Sequence, residues 1–558
     1  MQKEYIAELV EWIKKKNPTK DNLAKHKIQL CTRYKMKKIP TDIEIFLNVP
    51  EKELKKVKKA LLSKPTRTIS GVAAAAIMTK PRACPHGKCI TCPGGPGSEF
   101  GDVPQSYTGK EPATRRAIRN KYSAYLQIMN RLEQYVVQGH FPDKVELIVM
   151  GGTFPSYPKR YQDNFVAEAY KAMNDFSRLF FKKGEFDINR FKKYFELPGD
   201  IFSDVRVRSV QRRLLKEKDK QETNLELEQK KNEKAAIRCV ALCIETRPDY
   251  ARLKHANQML CLGATRVELG VQTTNDAVLR KIERGHTVEE SIKSTEILKD
   301  LGFKVSYHLM PGLPGAENEL EELKTIFRDK RFRPDMLKIY PCMVLKGTKL
   351  YSLWKKKKYK PLTTKEAAQL IAKFKRYVPE YCRISRVQRD IPTYMTEAGV
   401  DRTNLRQYVS KVLKEKKIKC RCIRCREVGN ARISIKDYEI KVMHYPASNG
   451  NEFFIEAQAE GWLLGYCRLR FPHNMLREEI AEDSAIVREL HVLGQSAGIG
   501  KKGDVQHQGI GKNLIATAEE IAKTYYRKKM IIISGIGVRE YYRKLGYHKE
   551  GAYMVKTL

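Results

Sequence analysis

Apolar residues near the amino terminus recur at helical spacing: Tyr5, Ile6, Leu9, Val10 and Ile13, then Leu54, Val57, Leu61 and Leu62. The pattern predicts amphipathic helices over a basic segment, residues 1–66, that carries Lys14-Lys15-Lys16 and Lys35-Met36-Lys37-Lys38. Pro65 closes it, and Arg67 to Met78 reads as a strand. The pattern then changes to short continuous apolar runs: Val145 to Met150, Val240 to Ile244, Arg266 to Val271, Lys304 to Leu309 and Met336 to Tyr340. Each is followed by a Gly/Pro turn or a helix-like segment. Buried parallel strands joined by crossover helices give this alternation, so residues 67–395 are expected to form a full or partial (β/α) barrel. Residues 155–237 break the rhythm with Phe- and Lys-rich helices and a charged run from Gln211 to Lys234. They read as too polar for core, and a surface insertion or mobile arm is expected.

The pattern shifts again in residues 437–558. Strand-like segments (Tyr438 to Met443, Glu452 to Ala457, Trp462 to Arg470, Ala485 to Val492) lead to Gln506-His507-Gln508-Gly509-Ile510-Gly511-Lys512. An amphipathic helix follows, with Leu514, Ile515, Ala518 and Ile521 on one face. A strand, a glycine-bearing loop and a helix N-terminus make an anion site suited to a pyrophosphate. The fold class read from these patterns is α/β: a partial (β/α) barrel followed by a second α/β domain.

Charge sharpens the picture. The 558 residues suffice for two to four domains, and their formal net charge is +42, spread along the whole chain. That favours a polyanionic partner, because phosphate neutralisation supplies most non-specific nucleic-acid affinity. A lysine-rich composition also fits plain solubility or a heat-adapted host. No apolar run nears ~18 residues and no signal peptide is present, so no membrane role is expected and the chain reads as cytoplasmic.

Thirteen cysteines in such a compartment suggest metal sites before disulfides. Cys84, Cys89 and Cys92 stand in a loop tightened by Pro85, Pro93, Gly94 and Gly95. Three thiolates around a cubane cluster leave one iron open, the arrangement that binds and cleaves S-adenosylmethionine (SAM). A zinc knuckle with His86 as substitute fourth ligand is the alternative. Cys420, Cys422 and Cys425 form a second tight set within residues 396–436, most simply a structural zinc site with His444, Cys382 or water completing it. The C-terminal ends of the barrel runs, where barrel chemistry sits, carry Gly151-Gly152-Thr153, Glu245-Thr246-Arg247, Gln272-Thr273 and Met310-Pro311-Gly312.

Gln506, Gly509 and Gly511, between a strand and a helix, resemble the acetyl-CoA loop of GNAT acetyltransferases, and Tyr541-Tyr542 matches the region where that family places a tyrosine acid. A three-cysteine SAM loop upstream of such a domain resembles the catalytic subunit family of Elongator, in its single-chain archaeal or bacterial form. The fit spans roughly residues 66–558 and includes Gly151-Gly152-Thr153-Phe154, Glu245-Thr246-Arg247-Pro248-Asp249 and Arg488-Glu489-Leu490-His491-Val492. The resemblance implies carboxymethylation of carbon 5 of the tRNA wobble uridine, with Cys84, Cys89 and Cys92 holding a 4Fe-4S cluster. Gly151, Gly152 and Thr153 would meet SAM, with Glu245, Arg247 and Gln272 along the same rim. Lys144, Glu489, Leu490, His491, Val492, Gln506, Gly509, Ile510, Gly511 and Lys512 would serve acetyl-CoA, with Tyr541 or Tyr542 at the thioester. Lys304, Lys338 and Tyr340 are candidates to reach the uridine or its phosphate. The basic segment 1–66 would help hold tRNA. A standalone monomer and a homodimer are both compatible with the sequence. The competing reading is a protein lysine acetyltransferase with a structural cluster and a carboxylate base such as Glu489.

Overall fold

The computed structural model describes residues 2–64, 68, 70–200, 203–429, 437–494 and 509–558. Its first large sheet has seven strands, β1 (Val72–Met78), β2 (Lys144–Met150), β3 (Arg238–Thr246), β4 (Arg266–Gln272), β5 (Lys304–Leu309), β6 (Met336–Ile339) and β7 (Arg383–Arg386). They neighbour one another in chain order, and every pairing is parallel. Parallel neighbours require crossovers, and helices on the outer face supply them. Alternate side chains of the strands pack on those helices: Ala75, Ile77, Val145, Leu147, Val149, Val305, Tyr307, Leu337 and Ile339 are all buried in the main core. The other set lines the concave side.

Four helices precede the sheet: α1 (Gln2–Lys16), α2 (Lys20–Arg33), α3 (Asp42–Asn48) and α4 (Glu51–Leu61). Thr19 and Thr41 cap the second and third with side-chain oxygens, and Thr41 with Glu44 forms a reciprocal capping box. Their apolar stripes merge with the same core through Phe46, whose ring lies 6.3 Å from Phe141.

Residues 155–237 differ from the expected polar arm. Helix α5 (Lys159–Phe180) is largely buried, and Phe176, Phe180, Phe191 and Phe195 form an aromatic cluster with ring separations of 4.7–6.3 Å. The phenylalanines dictate this: charge counts along the segment concealed a one-sided apolar stripe at helical spacing. The charged stretch that follows is held by buried polar contacts, such as Asn174 Nδ2 to Glu228 Oε2 at 2.7 Å.

The second sheet has the order β8 (Glu439–Ala447), β9 (Gly450–Ala459), β10 (Trp462–Phe471), β11 (Ser484–Val492), β12 (Lys529–Ile532), β14 (Tyr553–Thr557) and β13 (His548–Glu550). All its pairings are antiparallel except β11 with β12. Helix α6 (Ile510–Thr524) packs on it through Ile510, Leu514, Ile515, Ala518 and Ala522. This domain docks on the N-terminal ends of the barrel strands. Arg488 donates to Asp335, just before β6, and to the Phe303 carbonyl, just before β5. Arg470 reaches Asp300, and Arg539 pairs with Glu233.

Candidate active site

At the C-terminal mouth of the barrel, the loop after β1 carries Cys84, Cys89 and Cys92. Turn hydrogen bonds from Gly87 N to Cys84 O and from Cys92 N to Cys89 O, both 3.0 Å, wrap the loop around its sulfurs. A methyl group on Gly94 would sit 2.3 Å from the Tyr107 carbonyl oxygen, so only glycine fits there. Gly151, at φ +123°, opens the turn after β2, and a Cβ on it would meet Thr79 Oγ1 at 2.2 Å. That turn brings Thr153 Oγ1 to 3.6 Å from Cys84 Sγ. The structure thus unites the cysteine loop with the Gly151-Gly152-Thr153 turn.

The three sulfurs are more splayed than those of the second set. Cys420, Cys422 and Cys425 gather within 4.8 Å of one another, and Cys84, Cys89 and Cys92 do not form such a group. One tetrahedral ion at a Zn–S distance of about 2.3 Å needs close sulfurs, whereas a cubane spreads its ligands over several irons. The donor sets therefore fit a cluster at the first loop and a single ion at the second. Neither His444 nor Cys382 joins the second group among the described residues; Lys375 donates to Cys425 Sγ at 3.5 Å instead. His444 faces Asn451 and stacks on Phe453.

The concave face of the barrel is polar rather than filled by apolar layers. Lys338 pairs with Glu268 and, at 3.0 Å, with Glu245. His308 Nε2 lies 2.7 Å from Glu268 Oε2, and Arg266 bridges Glu268 at 3.3 Å and Glu146 at 2.5 Å. Tyr107 donates to Glu245 at 3.3 Å, and Tyr340 stacks edge-on to His308. Burial pushes the Glu268 carboxyl up, but Lys338, Arg266 and His308 overcome that and hold it well below the usual carboxylate range. Burial likewise lowers Lys338, and Glu268 and Glu245 carry it well above the ordinary lysine value. This ionic column rises from the foot of β4 to the mouth.

The described part of the second site lies in the second domain, on the face of β11 that carries Leu490 and Val492. Gly509, at φ +86°, caps α6, and its loop partner Gln506 lies outside the described residues. A Cβ on Gly511 would lie 3.2 Å from the Tyr541 hydroxyl, 3.4 Å from Val492 and 3.8 Å from Leu490. The α6 N-terminus, the Leu490–Val492 stretch of β11 and Tyr541 therefore converge, with Ile510 buried beneath and Lys512 exposed. Of the two tyrosines, Tyr541 faces this site; Tyr542 is buried, its ring 6.1 Å from Tyr547.

Glu489 points from β11 into the domain junction. It accepts from Tyr466 and from Arg468, each at 2.9 Å, and pairs with Lys304. Burial pushes its pKa up, and Lys304, His491 and Arg468 drive it well below the usual value. A carboxylate so firmly ionised is a poor proton acceptor at neutral pH. Lys304 and Lys144 both begin their strands, so they sit at the foot of the barrel beside the second domain, whereas Lys338 and Tyr340 face the concave side higher up. Arg247 is buried and spent on Asp249 and on the carbonyls of Arg284 and Gly285. It shapes the rim from beneath. Gln272 ends β4 at φ +70° beside a small cleft shared with Thr273, Met310 and Pro311.

Residues that motif reading missed are Tyr107, Glu268, His308 and Arg284. A signal for two of them was present: Arg266-Val267-Glu268 and Lys304-Val305-Ser306-Tyr307-His308 alternate polar and apolar residues within parallel strands, which marks a polar lumen.

A parallel half-barrel with three thiols at its mouth is the architecture of radical SAM enzymes. Family models agree: the ELP3 N-terminal domain matches residues 2–69, the Radical SAM superfamily residues 207–326, and the Radical_SAM C-terminal domain residues 334–415. The chain is 46% identical over 535 residues to a tRNA uridine(34) acetyltransferase of Methanocaldococcus jannaschii, covering 93% of this chain and 90% of that one. It is 37% identical over 554 residues to human Elongator complex protein 3, covering 96% and 93%. A solved archaeal Methanocaldococcus infernus Elp3 lacking residues 1–46 superposes with a TM-score of 0.71 at 39% identity, over 88% of this chain and all of that one. The chain belongs to the Elongator complex protein 3 family.

Proposed function

We propose that this chain is a radical SAM enzyme that modifies the wobble uridine of tRNA, using acetyl-CoA to build a 5-carboxymethyl group. A 4Fe-4S cluster held by Cys84, Cys89 and Cys92, with SAM on its open iron, supplies the one-electron chemistry when bound. The protein's own task is to hold a base, a thioester and SAM in one water-poor space. The single observation that carries this reading is the ionic column of Glu245, Lys338, Glu268 and Arg266, which lines the barrel between its thiol-loop end and its junction with the second domain. An enzyme with two independent activities would need no such polar lumen. Paired donors and acceptors at its upper end suit the edge of a uracil ring, which offers two carbonyl oxygens and one N–H. Tyr541, beside the α6 N-terminus, is the residue placed to meet the CoA arm. A zinc ion on Cys420, Cys422 and Cys425 would tie the linker together. The basic surface of the N-terminal helices suits tRNA phosphates, although Lys14 is occupied by Glu11 and Glu53 and Lys38 by Glu44.

The test is anaerobic incubation of reconstituted protein with tRNA, SAM, reductant and acetyl-CoA labelled in the methyl carbon. Mass spectrometry should find the label in 5-carboxymethyluridine at the wobble position, only when SAM is present. Label in protein lysines with unlabelled tRNA would instead favour a lysine acetyltransferase, a reading against which the ionised, fully paired Glu489 already counts.

A further inference from the structure

The cysteine loop rests on a second loop, residues 282–287. Ile90 N donates to the Ile282 carbonyl at 3.1 Å, and Gly285 lies so close that a Cβ there would sit 2.7 Å from His86 Cβ. Arg247 pins the backing loop from below, donating to the Arg284 carbonyl at 2.8 Å and the Gly285 carbonyl at 3.0 Å. On this base the Arg284 side chain donates one Nη to the Gly270 carbonyl at 2.8 Å and turns the other toward Cys89 Sγ at 3.7 Å. His86 Nε2 lies 3.1 Å from the same sulfur.

The three thiols are therefore not equivalent. Cys84 faces a hydroxyl, that of Thr153, and Cys92 accepts a backbone N–H from Ser106 at 3.2 Å. Among the described residues, Cys89 alone of the three faces two side-chain nitrogens, one of them on a guanidinium that never loses its charge. Arg284 Nε and His86 Nδ1 are buried without a hydrogen-bond partner, so packing of the two loops, rather than saturation of every nitrogen, fixes these side chains on the sulfur.

We propose that Arg284 and His86 are positioning residues that tune the metal centre through the Cys89 sulfur. The proposal rests on reading the three thiols as cluster ligands. Reduction adds negative charge to a cluster and its sulfurs, and N–H donors and a fixed cation beside one sulfur stabilise that added charge. The pair raises the reduction potential, making the electron that starts the reaction easier to load.

The experiment is spectroelectrochemical titration of the full-length, anaerobically reconstituted protein, with the reduced cluster read by electron paramagnetic resonance and iron counted separately. Arg284→Gln, which removes the charge, is expected to shift the reduction equilibrium about tenfold toward the oxidised form, ~59 mV for a one-electron couple. Arg284→Lys should recover part of that shift. His86→Ala should move the potential in the same direction, and His86→Gln, which keeps an N–H, by less. Wild-type potentials in iron-replete Arg284→Gln and His86→Ala overturn the proposal. If Arg284→Gln cannot hold iron, His86→Ala decides alone, and an unshifted potential there overturns it equally. Failure of the wild-type chain itself to hold an iron–sulfur cluster would sink the ligand reading instead, a result visible in the iron count before any titration.

Discussion

Arg488 grips Asp335 through both terminal nitrogens, at 2.7 and 2.8 Å, with each side chain fully buried and the two 153 positions apart in the chain. Asp335 also faces Arg468, and Arg488 also faces Glu452, so a single buried ionic knot fastens the second domain to the foot of the barrel. Burial pushes Asp335 up, and Arg488, Lys299 and Arg468 force it far below the ordinary aspartate value. Asp335→Asn keeps the shape and removes the charge. It leaves Arg488 with Glu452 alone and Arg468 with Glu489 alone, and is expected to cost about 3 kcal/mol, read from urea unfolding.

The same pair predicts an acid limb. Its folded pKa lies below the unfolded value of about 3.9, so its stabilisation is complete above that value and is lost as pH falls through the lower folded one. The melting temperature of the wild type should drop steeply below about pH 4. In Asp335→Asn, already weakened at neutral pH, the drop should be shallower; equal slopes would assign acid sensitivity to other carboxyls.

Lys338 holds Glu245 and Glu268 together on the concave face. Lys338→Met leaves two facing carboxylates without their cation, and one of them is expected to take up a proton. That group's folded pKa is then raised, so the variant's stability is greatest at acid pH and declines as pH rises through it: the destabilisation relative to wild type should be larger at pH 8 than at pH 5. Uridine modification should fall about 100-fold, the order expected when reacting groups lose alignment. Iron content should stay unchanged, because no thiol is touched.

Much of this arrangement was legible because parallel strands and glycine turns announce themselves locally. The Gly151-Gly152-Thr153 turn, the cysteine spacing and the α6 N-terminus all reflect short-range backbone requirements, and each stands where its residues indicated. What escaped was long-range. Arg284 reaches Cys89 across 195 positions, and no local pattern marks an arginine whose partner is a sulfur on another loop. The burial of α5 was hidden for a different reason: the charged run from Gln211 to Lys234 coloured the reading of the whole segment, while the apolar face of α5 itself decides its packing. Choosing between Tyr541 and Tyr542 also needed tertiary structure, since adjacent helical residues point about 100° apart and only packing decides which faces the site.

The second cysteine set predicts a metal that is independent of the cluster. Its three thiols already converge, and Lys375 beside Cys425 offsets their negative charge. Protein prepared without iron should retain zinc, and Cys84→Ser should leave that zinc in place. Cys422→Ser should lose it and destabilise the linker without altering the cluster's absorption. Zinc content falling in parallel with iron across both variants would mean that the two sites are not separate.

Lys304 pairs with Glu489 across the domain junction, and on the proposed reading it serves the acetyl-CoA half of the reaction, a role separable from folding. Lys304→Met removes the ammonium but keeps an apolar stem of similar length. Glu489 retains its hydrogen bonds from Tyr466 and Arg468, so the carboxylate stays partnered and the domain junction holds. The expected loss is therefore functional: about tenfold or more in tRNA-dependent release of CoA thiol, equivalent to ~1.4 kcal/mol of transition-state stabilisation. SAM cleavage at the cysteine loop, whose residues the substitution does not touch, should proceed normally. Deoxyadenosine formation and thiol release measured on one sample separate the two effects. An equal fall in both would mean that Lys304 supports the whole barrel, and normal thiol release would remove it from the acetyl-CoA site altogether.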